Sequence, residues 1–432
     1  MKLRIEKPIY GGAGLARHEG KAIFTSFTLP GELVEAHIAQ DHSGYANAEL
    51  ESILEPAPSR AQPPCPHFGK CGGCHYQHAI YPQQIEIKSQ ILREALERAH
   101  VKDIPEITTL QANPFGYRNR IRLHIDHATS KLCYKQRASH QNLTVDECPI
   151  AAPILEDALK AIQSMAPGWQ LGKHFSEIEL FTNAAQDSML LTLWSSATPK
   201  ATAQAFGSLW RRLQAQLPNL TGAAAFSSEQ GRHQSKLLAQ TGEQSLRYAA
   251  ANHEYRVSLG SFFQVNRFLI DPLVEHVAAE ASGELAWDLY AGVGLFAVTL
   301  ASRFAQVVAV EAAPSSVRDL HHNLQKRQHR IVAGSTVEFL RRAVANKDKS
   351  LGFAVPDIVI VDPPRAGLGK EVTALLAAIR PAHITYVSCD PATLSRDLKL
   401  LLDSGYHISS MRMVDLFPQT FHLESVSTLS LK

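Results

Sequence analysis

Ala286-Trp287-Asp288-Leu289-Tyr290-Ala291-Gly292-Val293-Gly294-Leu295-Phe296-Ala297 is the stretch that decides the fold. Residues with strand propensity run into two glycines, and Leu295 to Arg303 then follows helical spacing, so a strand passes through a tight turn into a helix. The same grammar repeats outward from it. Val307-Val308-Ala309-Val310 ends at Glu311, Asp357-Ile358-Val359-Ile360-Val361 ends at Asp362-Pro363-Pro364, and Ala382-His383-Ile384-Thr385-Tyr386-Val387 ends at Ser388-Cys389. From residue 253 onward the chain therefore reads as a doubly wound α/β domain whose strand ends carry Asp288, Glu311, Asp362 and Cys389 in series. In such open sheets the carboxyl ends of the strands share one rim, and ligands bind there.

Gly292-Val293-Gly294-Leu295-Phe296-Ala297 fits G-x-G-x-x-A, and Glu311 stands where a carboxylate holds ribose hydroxyls. Alone, that pattern suits a nicotinamide dehydrogenase equally well. Three features favour S-adenosylmethionine, whose sulfonium and amino group want carboxylates instead of a pyrophosphate cradle. They are Asp288 before the turn, the lack of a second mononucleotide half after Glu311, and Asp362-Pro363-Pro364, although prolines there also serve simply to stop a strand. Cys389 precedes Pro391 and a predicted helix from Ala392 to Leu402. A thiol near a helix amino terminus is expected to ionise below the free value of about 8.5. Its own segment suits a buried core cysteine as well.

The chain has 432 residues, enough for about three domains. Its formal net charge of +2, from 43 Lys and Arg against 41 Asp and Glu, leaves any anionic partner to a local patch. Met1-Lys2-Leu3-Arg4-Ile5-Glu6 lacks the apolar stretch of a signal peptide, and no run is apolar enough to span a bilayer, so a soluble, cytoplasmic protein with no membrane contact is expected. Six cysteines over this length are too few for a secreted disulfide scaffold, and their clustering points to metal or catalytic use.

Residues 1–56 hold short β-type runs broken by glycine, including Gly11-Gly12-Ala13-Gly14 and Gly20-Lys21-Ala22-Ile23-Phe24, which reads as a small OB-like barrel, either RNA-binding or a packing module. Glu55-Pro56-Ala57-Pro58-Ser59-Arg60-Ala61-Gln62-Pro63-Pro64 is a stiff linker. A central α+β domain over 65–250 opens with Cys65, Cys71 and Cys74 in a C-x5-C-x2-C cluster. Thiolates this close select iron–sulfur or zinc, both usually with four ligands, and spacing alone does not separate the two. Cys133 lies in an apolar strand context whereas Cys148 precedes Pro149 in a polar loop, so Cys148 is the expected fourth ligand. Residues 81–100 have helical periodicity and are expected to pack on the catalytic domain.

Tyr117 to Ile125 alternates, putting Arg118, Arg120, Arg122 and His124 on one strand face, either a phosphate-binding patch or a solvated charged surface. Ser261-Phe262-Phe263-Gln264-Val265-Asn266, at the entrance to the 253–432 domain, suits a binding lip or packing. In Phe417-Pro418-Gln419-Thr420-Phe421-His422-Leu423-Glu424, His422 and Glu424 share a side if the chain is extended.

Together, the Cys65/Cys71/Cys74/Cys148 set, Ser261 to Asn266, Asp288 to Gly294, Asp362-Pro363-Pro364-Arg365, Ser388-Cys389-Asp390-Pro391-Ala392-Thr393 and Phe417-Pro418-x-Thr420-x-His422-x-Glu424 resemble the RNA uracil-5-methyltransferase family. Residues 1–55 resemble the TRAM barrel of its ribosomal-RNA members, so the likeness covers nearly the whole chain. It implies a class I methyltransferase domain, a central domain with a [4Fe-4S] cluster, and methylation of uridine C5 in RNA. Members with both barrel and cluster point to 23S ribosomal RNA, with transfer RNA the alternative and no DNA expected. Carried over, the resemblance assigns donor binding to Gln264, Tyr290, Glu311 and Asp362, supported by Asp288, Gly292 and Gly294, the nucleophile to Cys389 and the base to Glu424. Asp362 could equally face the uracil.

Uracil C5 is a weak carbon nucleophile, which thiolate addition at C6 corrects, and the base must leave its helix, stacked on Phe262 or Phe263. The similar cytosine-5 enzymes carry a second Cys beside the Asp362-Pro363-Pro364 position; here there is none, which favours uracil. Three positions depart from the pattern. Ala291 replaces a common Cys, Asp390 replaces the usual Asn and is expected to raise the pKa of Cys389, and Ala333-Gly334-Ser335-Thr336 lacks the usual adenine contact. The competing reading is a non-enzymatic iron–sulfur RNA-binding protein, against which the intact Gly292, Gly294, Asp362, Cys389 and Glu424 argue.

Overall fold

The computed structural model describes residues 1–228, 236–279, 281–325, 327–345 and 355–431. Six short strands between Lys2 and Glu55 form the amino-terminal sheet, in the order Lys2–Arg4, Leu33–Asp41, Tyr45–Glu55, Lys21–Ser26, Ala13–His18, Lys7–Pro8. Alternate residues Leu3, Ile5, Ile23, Val34 and Ala36 close its core, each worth roughly 1–3 kcal/mol on burial. The linker is anchored at Arg60, whose Nε and Nη2 donate to Oε1 (2.5 Å) and Oε2 (2.7 Å) of the buried Glu32.

The central sheet has seven strands, ordered Asn142–Thr144, Leu132–Lys135, Arg120–Ile125, Glu177–Thr182, Met189–Ser195, Leu220–Ser227, Leu237–Gly242. Its apolar face is covered by the helices Pro153–Met165 and Pro199–Gln216. The expected basic face of Arg120–Ile125 is largely neutralised, because the antiparallel neighbour sets Glu179 opposite Arg122 and Glu177 opposite His124. Arg120 pairs with Glu179 (3.5 Å) and lies over the Phe181 ring (4.1 Å). Arg122 pairs with Glu177 and stacks on Trp194 (3.8 Å), while His124 Nδ1 lies 3.3 Å from Glu177.

The third sheet has eight strands in the order His329–Ala333, Phe304–Glu311, Gly283–Leu289, Ile358–Val361, His383–Ser388, Glu424–Leu431, Tyr406–Val414, Ile107–Leu110. The first five run parallel, and Glu424–Leu431 is antiparallel to both of its neighbours. Helices cover both faces, so Val307, Val308, Ile360 and Ile384 are buried on a doubly wound sheet. The boundary at residue 250 is not clean. Ile107–Leu110 pairs in parallel with Tyr406–Val414 at the eight-stranded sheet's edge, and the helix Tyr81–Arg98 buries Ile85, Ile91, Leu92 and Leu96 in the same core as Leu394, Leu398 and Leu401. Residues that belong to the third sheet and its core therefore come before the central sheet in the chain. No helix among the described residues is long and apolar enough to cross a membrane.

Candidate active site

One cavity of about 550 Å³ lies outside the carboxyl ends of the parallel strands. Gln264, Tyr290, Gly292, Glu311, Asp362, Cys389 and Glu424 all line it. Tyr290 ends its strand at φ +66°, a left-handed value a tyrosine rarely adopts, and this turns the chain into the glycine loop. Gly294 follows at φ +93°, and a Cβ there would lie 2.7 Å from Leu320 Cδ1, so only glycine fits. Gly292 N–H donates to Glu311 Oε2 (2.8 Å), and Ala312 and Ala313 N–H donate to Oε1 (2.8 and 2.6 Å). The carboxylate expected to hold ribose thus also pins the loop. Asp288 does not line the cavity. It is fully buried beneath the turn, its Oδ2 accepting from Ala297 N–H (2.9 Å), so it braces the loop.

The lip at Ser261–Asn266 is held from three sides. Ser258 and Ser261 hydroxyls donate to the buried Asp319 (2.6 and 2.8 Å), Arg120 donates to Ser261 O (2.9 Å), and Asn119 donates to Gln264 O (2.9 Å). This leaves Gln264 Nε2 to donate to Asp362 Oδ2 (3.4 Å). The two neighbouring phenylalanines divide the alternatives: Phe263 packs with Tyr248 and Tyr255, whereas Phe262 is 63% exposed at the cavity edge, where an unstacked base could lie.

Across the cavity, Cys389 ends His383–Ser388 and Glu424 starts the antiparallel strand beside it. Burial, then the Glu424 and Asp362 carboxylates, push the Cys389 thiol up to about 12, while Arg365 pulls it down. The net shift is opposite to the lowering expected beside a helix amino terminus, where Asp390 caps the helix, its Oδ1 accepting from Ala392 (3.0 Å) and Thr393 (2.9 Å). Asp390 was expected to raise the thiol, but the causes of the rise are burial first, then Glu424 and Asp362. Burial also raises Asp362, to about 7, and raises Glu424 well above the ordinary range with Asp362 adding to it. His422 is held near 4 by burial and Arg365, so it is neutral at neutral pH, and Arg365 Nη2 lies 3.2 Å from its Nδ1.

Sequence reasoning missed Tyr10. It lies in a barrel loop yet meets the Phe421 ring edge-on at 5.4 Å and interacts with Asp390 and Cys389. Nothing local in the sequence signals this, because the contacts join residues about 380 to 410 apart. The adenine side stays without an assigned contact; Ser335 caps the helix Thr336–Val344, and Gly334 N–H donates to Glu311 O (2.9 Å).

A second cavity, of about 400 Å³, is lined by Cys65, Cys71, Cys74 and Cys148 together with Arg118 and Tyr134. Cys133 lies elsewhere, its Sγ 3.5 Å from Lys131 O and 3.7 Å from Thr144 Oγ1. Burial raises all four lining thiols, Cys74 to about 12. Gly73 N–H lies 3.4 Å from Cys71 Sγ, and Tyr134 O–H 3.8 Å from Cys148 Sγ, hydrogen bonds that suit sulfur carrying charge. Among the described residues no group of three or more Cys, His, Asp or Glu side chains converges to hold a metal ion. The four thiols are all on the wall of this one cavity.

An open sheet of this order, with a glycine turn and acidic strand ends on one cavity, defines a class I S-adenosylmethionine-dependent methyltransferase domain. Residues 80–432 match the tRNA (uracil-5-)-methyltransferase family and residues 1–50 the TRAM domain. The chain belongs to this family of RNA uracil-5-methyltransferases. It is 31% identical to an RNA methyltransferase of Aquifex aeolicus, over 100% of this chain and 99% of that one. It is also 31% identical to the 23S rRNA (uracil(1939)-C(5))-methyltransferase RlmD of Shewanella amazonensis, over 99% and 95%. The crystal structure of Pyrococcus abyssi tRNA (uracil-54, C5)-methyltransferase in complex with S-adenosyl-L-homocysteine shares the fold, with a TM-score of 0.77 at 22% identity over 99% of this chain and 100% of that one.

Proposed function

We propose that this enzyme methylates C5 of one uridine in 23S ribosomal RNA, with Cys389 as nucleophile and Glu424 as base. The observation that carries the chemistry is the placement of Cys389, Glu424 and Asp362 on the same cavity as the glycine turn. Bound S-adenosylmethionine would supply an electrophilic methyl on a sulfonium. Gln264, Tyr290, Glu311, Asp362, Gly292 and Gly294 would hold it, with Asp288 bracing the loop. Cys389 adds to C6 of the uracil, and the ring becomes an enolate whose C5 takes the methyl. Glu424 then removes the C5 proton, the C6–S bond breaks and the thiolate leaves. Burial, with Asp362 adding to it, raises the Glu424 carboxyl, which makes its carboxylate a stronger base. Phe262 would stack the extruded base.

Full-length relatives named for 23S rRNA uracil 1939 support the ribosomal substrate over transfer RNA. We further propose that Cys65, Cys71, Cys74 and Cys148 hold a [4Fe-4S] cluster tying residues 65–74 to 148, in three domains near 1–56, 65–250 and 253–432, in the cytoplasm. Brown protein with about four irons per chain is expected, and stoichiometric zinc after anaerobic preparation would overturn the cluster. RNA carrying 5-fluorouridine, which has no C5 proton to lose, should trap a covalent adduct with the native enzyme and none with Cys389→Ala, while on ordinary uridine RNA Glu424→Gln should form the adduct but release it far more slowly. Mapping 5-methyluridine in 23S and transfer RNA from a deletion strain tests the substrate; loss confined to transfer RNA would refute the ribosomal assignment.

A further inference from the structure

The loop that leads from Tyr406–Val414 to Glu424 has little structure of its own, yet it forms the cavity wall that bears Phe417 and His422. Its carbonyls are taken one after another by distant residues. The buried Lys88 Nζ donates to Phe417 O (2.9 Å), Tyr117 O–H to Pro418 O (3.1 Å), and both His75 N–H (2.7 Å) and Tyr76 N–H (3.0 Å) to Gln419 O. Gln84 completes the clamp. Its Oε1 accepts from Gln419 N–H (3.1 Å) and its Nε2 donates to Gln419 Oε1 (3.0 Å). Gln419 is buried and sits at φ +68°, a conformation costing about 1–3 kcal/mol for a residue with a side chain, so its surroundings must enforce it. Those surroundings are the residues directly after Cys74 and the first turn of the helix Tyr81–Arg98. Lys88 also pairs with the buried Asp415 (2.5 Å), which fixes the loop's start.

We propose that Gln84 and Gln419 are positioning residues for the base, through which the segment following the cysteine centre sets the wall carrying His422 and Glu424. The proposal rests on Glu424 removing the C5 proton. Loosening the wall would then slow the step after methyl transfer more than the addition of Cys389, which sits on a different strand.

Gln84→Ala tests this without touching the cavity. With ordinary uridine RNA and S-adenosylmethionine, this variant should accumulate a covalent enzyme–RNA species, its decay slowed on the order of tenfold, well within what an ångström of misplacement costs. The KM for the donor should stay unchanged. Hydrogen exchange at His75 and Tyr76 should quicken, a readout independent of turnover. Cys74→Ser, which disturbs the clamp from its other side, should give the same accumulation. Should Gln84→Ala fail to fold, Gln419→Gly keeps the left-handed backbone and its carbonyl while losing the amide pair. Wild-type decay of the covalent species in a folded variant overturns the proposal. If the native enzyme itself forms no adduct with 5-fluorouridine RNA, the nucleophile assignment has failed instead.

Discussion

At the scale of single residues, the cavity holds more acid than a neutral-pH site can ionise. Asp362 and Glu424 are both raised by burial, and Cys389 lies beside them. The consequence for stability has a definite sign. Asp362 has a folded pKa near 7, above its ordinary value of about 3.9, so between about pH 4 and 7 the folded state keeps a proton that the unfolded chain has released. Its contribution is complete below pH 4 and is lost as pH rises through 7. Asp362→Asn should therefore stabilise the ligand-free protein more at pH 8 than at pH 5, by about 1–2 kcal/mol given that the group is only partly buried. Equal melting shifts at both pH values would exclude this. Cys389 and Asp362 could be picked out of the sequence because each follows a strand, whereas Glu424 was reached only through the likeness of its motif to a known family. Their mutual electrostatics could not, since these depend on distances across the rim and on a cap that spends Asp390 on backbone amides.

At the scale of elements, the parallel strands were readable because β-branched runs buried on both faces leave a strong pattern. The edge strand Ile107–Leu110 was not, since four half-exposed residues carry no periodicity and their partner lies about 300 residues away. The basic strand Arg120–Ile125 shows a subtler failure. Its alternation was correct, but its charge depended on Glu177 and Glu179, some 55 residues later and visible only through pairing. A free phosphate contact contributes about 0.9 to the slope of log affinity against log salt concentration, so Arg122→Ala should change that slope for RNA by much less than one. A drop near one would mean that Glu177 releases Arg122 when RNA binds.

At the scale of the whole molecule, the barrel is built into the enzyme. Arg60 grips Glu32, Lys7 pairs with Glu94 (2.5 Å), Arg137 lies over Phe27 (5.0 Å), and Phe27 meets Phe68 at 5.1 Å. Arg60→Ala leaves the Glu32 carboxylate buried without its cation, a loss of about 3 kcal/mol. It should open the linker to proteolysis near residues 56–64 before the rest of the protein melts, whereas cleavage no faster than in the native protein would argue that other contacts suffice. The sheet order carries a different message. Glu424–Leu431 is synthesised after both His383–Ser388 and Tyr406–Val414, yet it lies between them. Until Glu424–Leu431 leaves the ribosome, two strands wait with bare edges, which invites mispairing with other chains. The same insertion delivers Glu424, so under the proposed mechanism a growing chain gains its proton acceptor only when its sheet is sealed, and no half-made enzyme could complete a turnover.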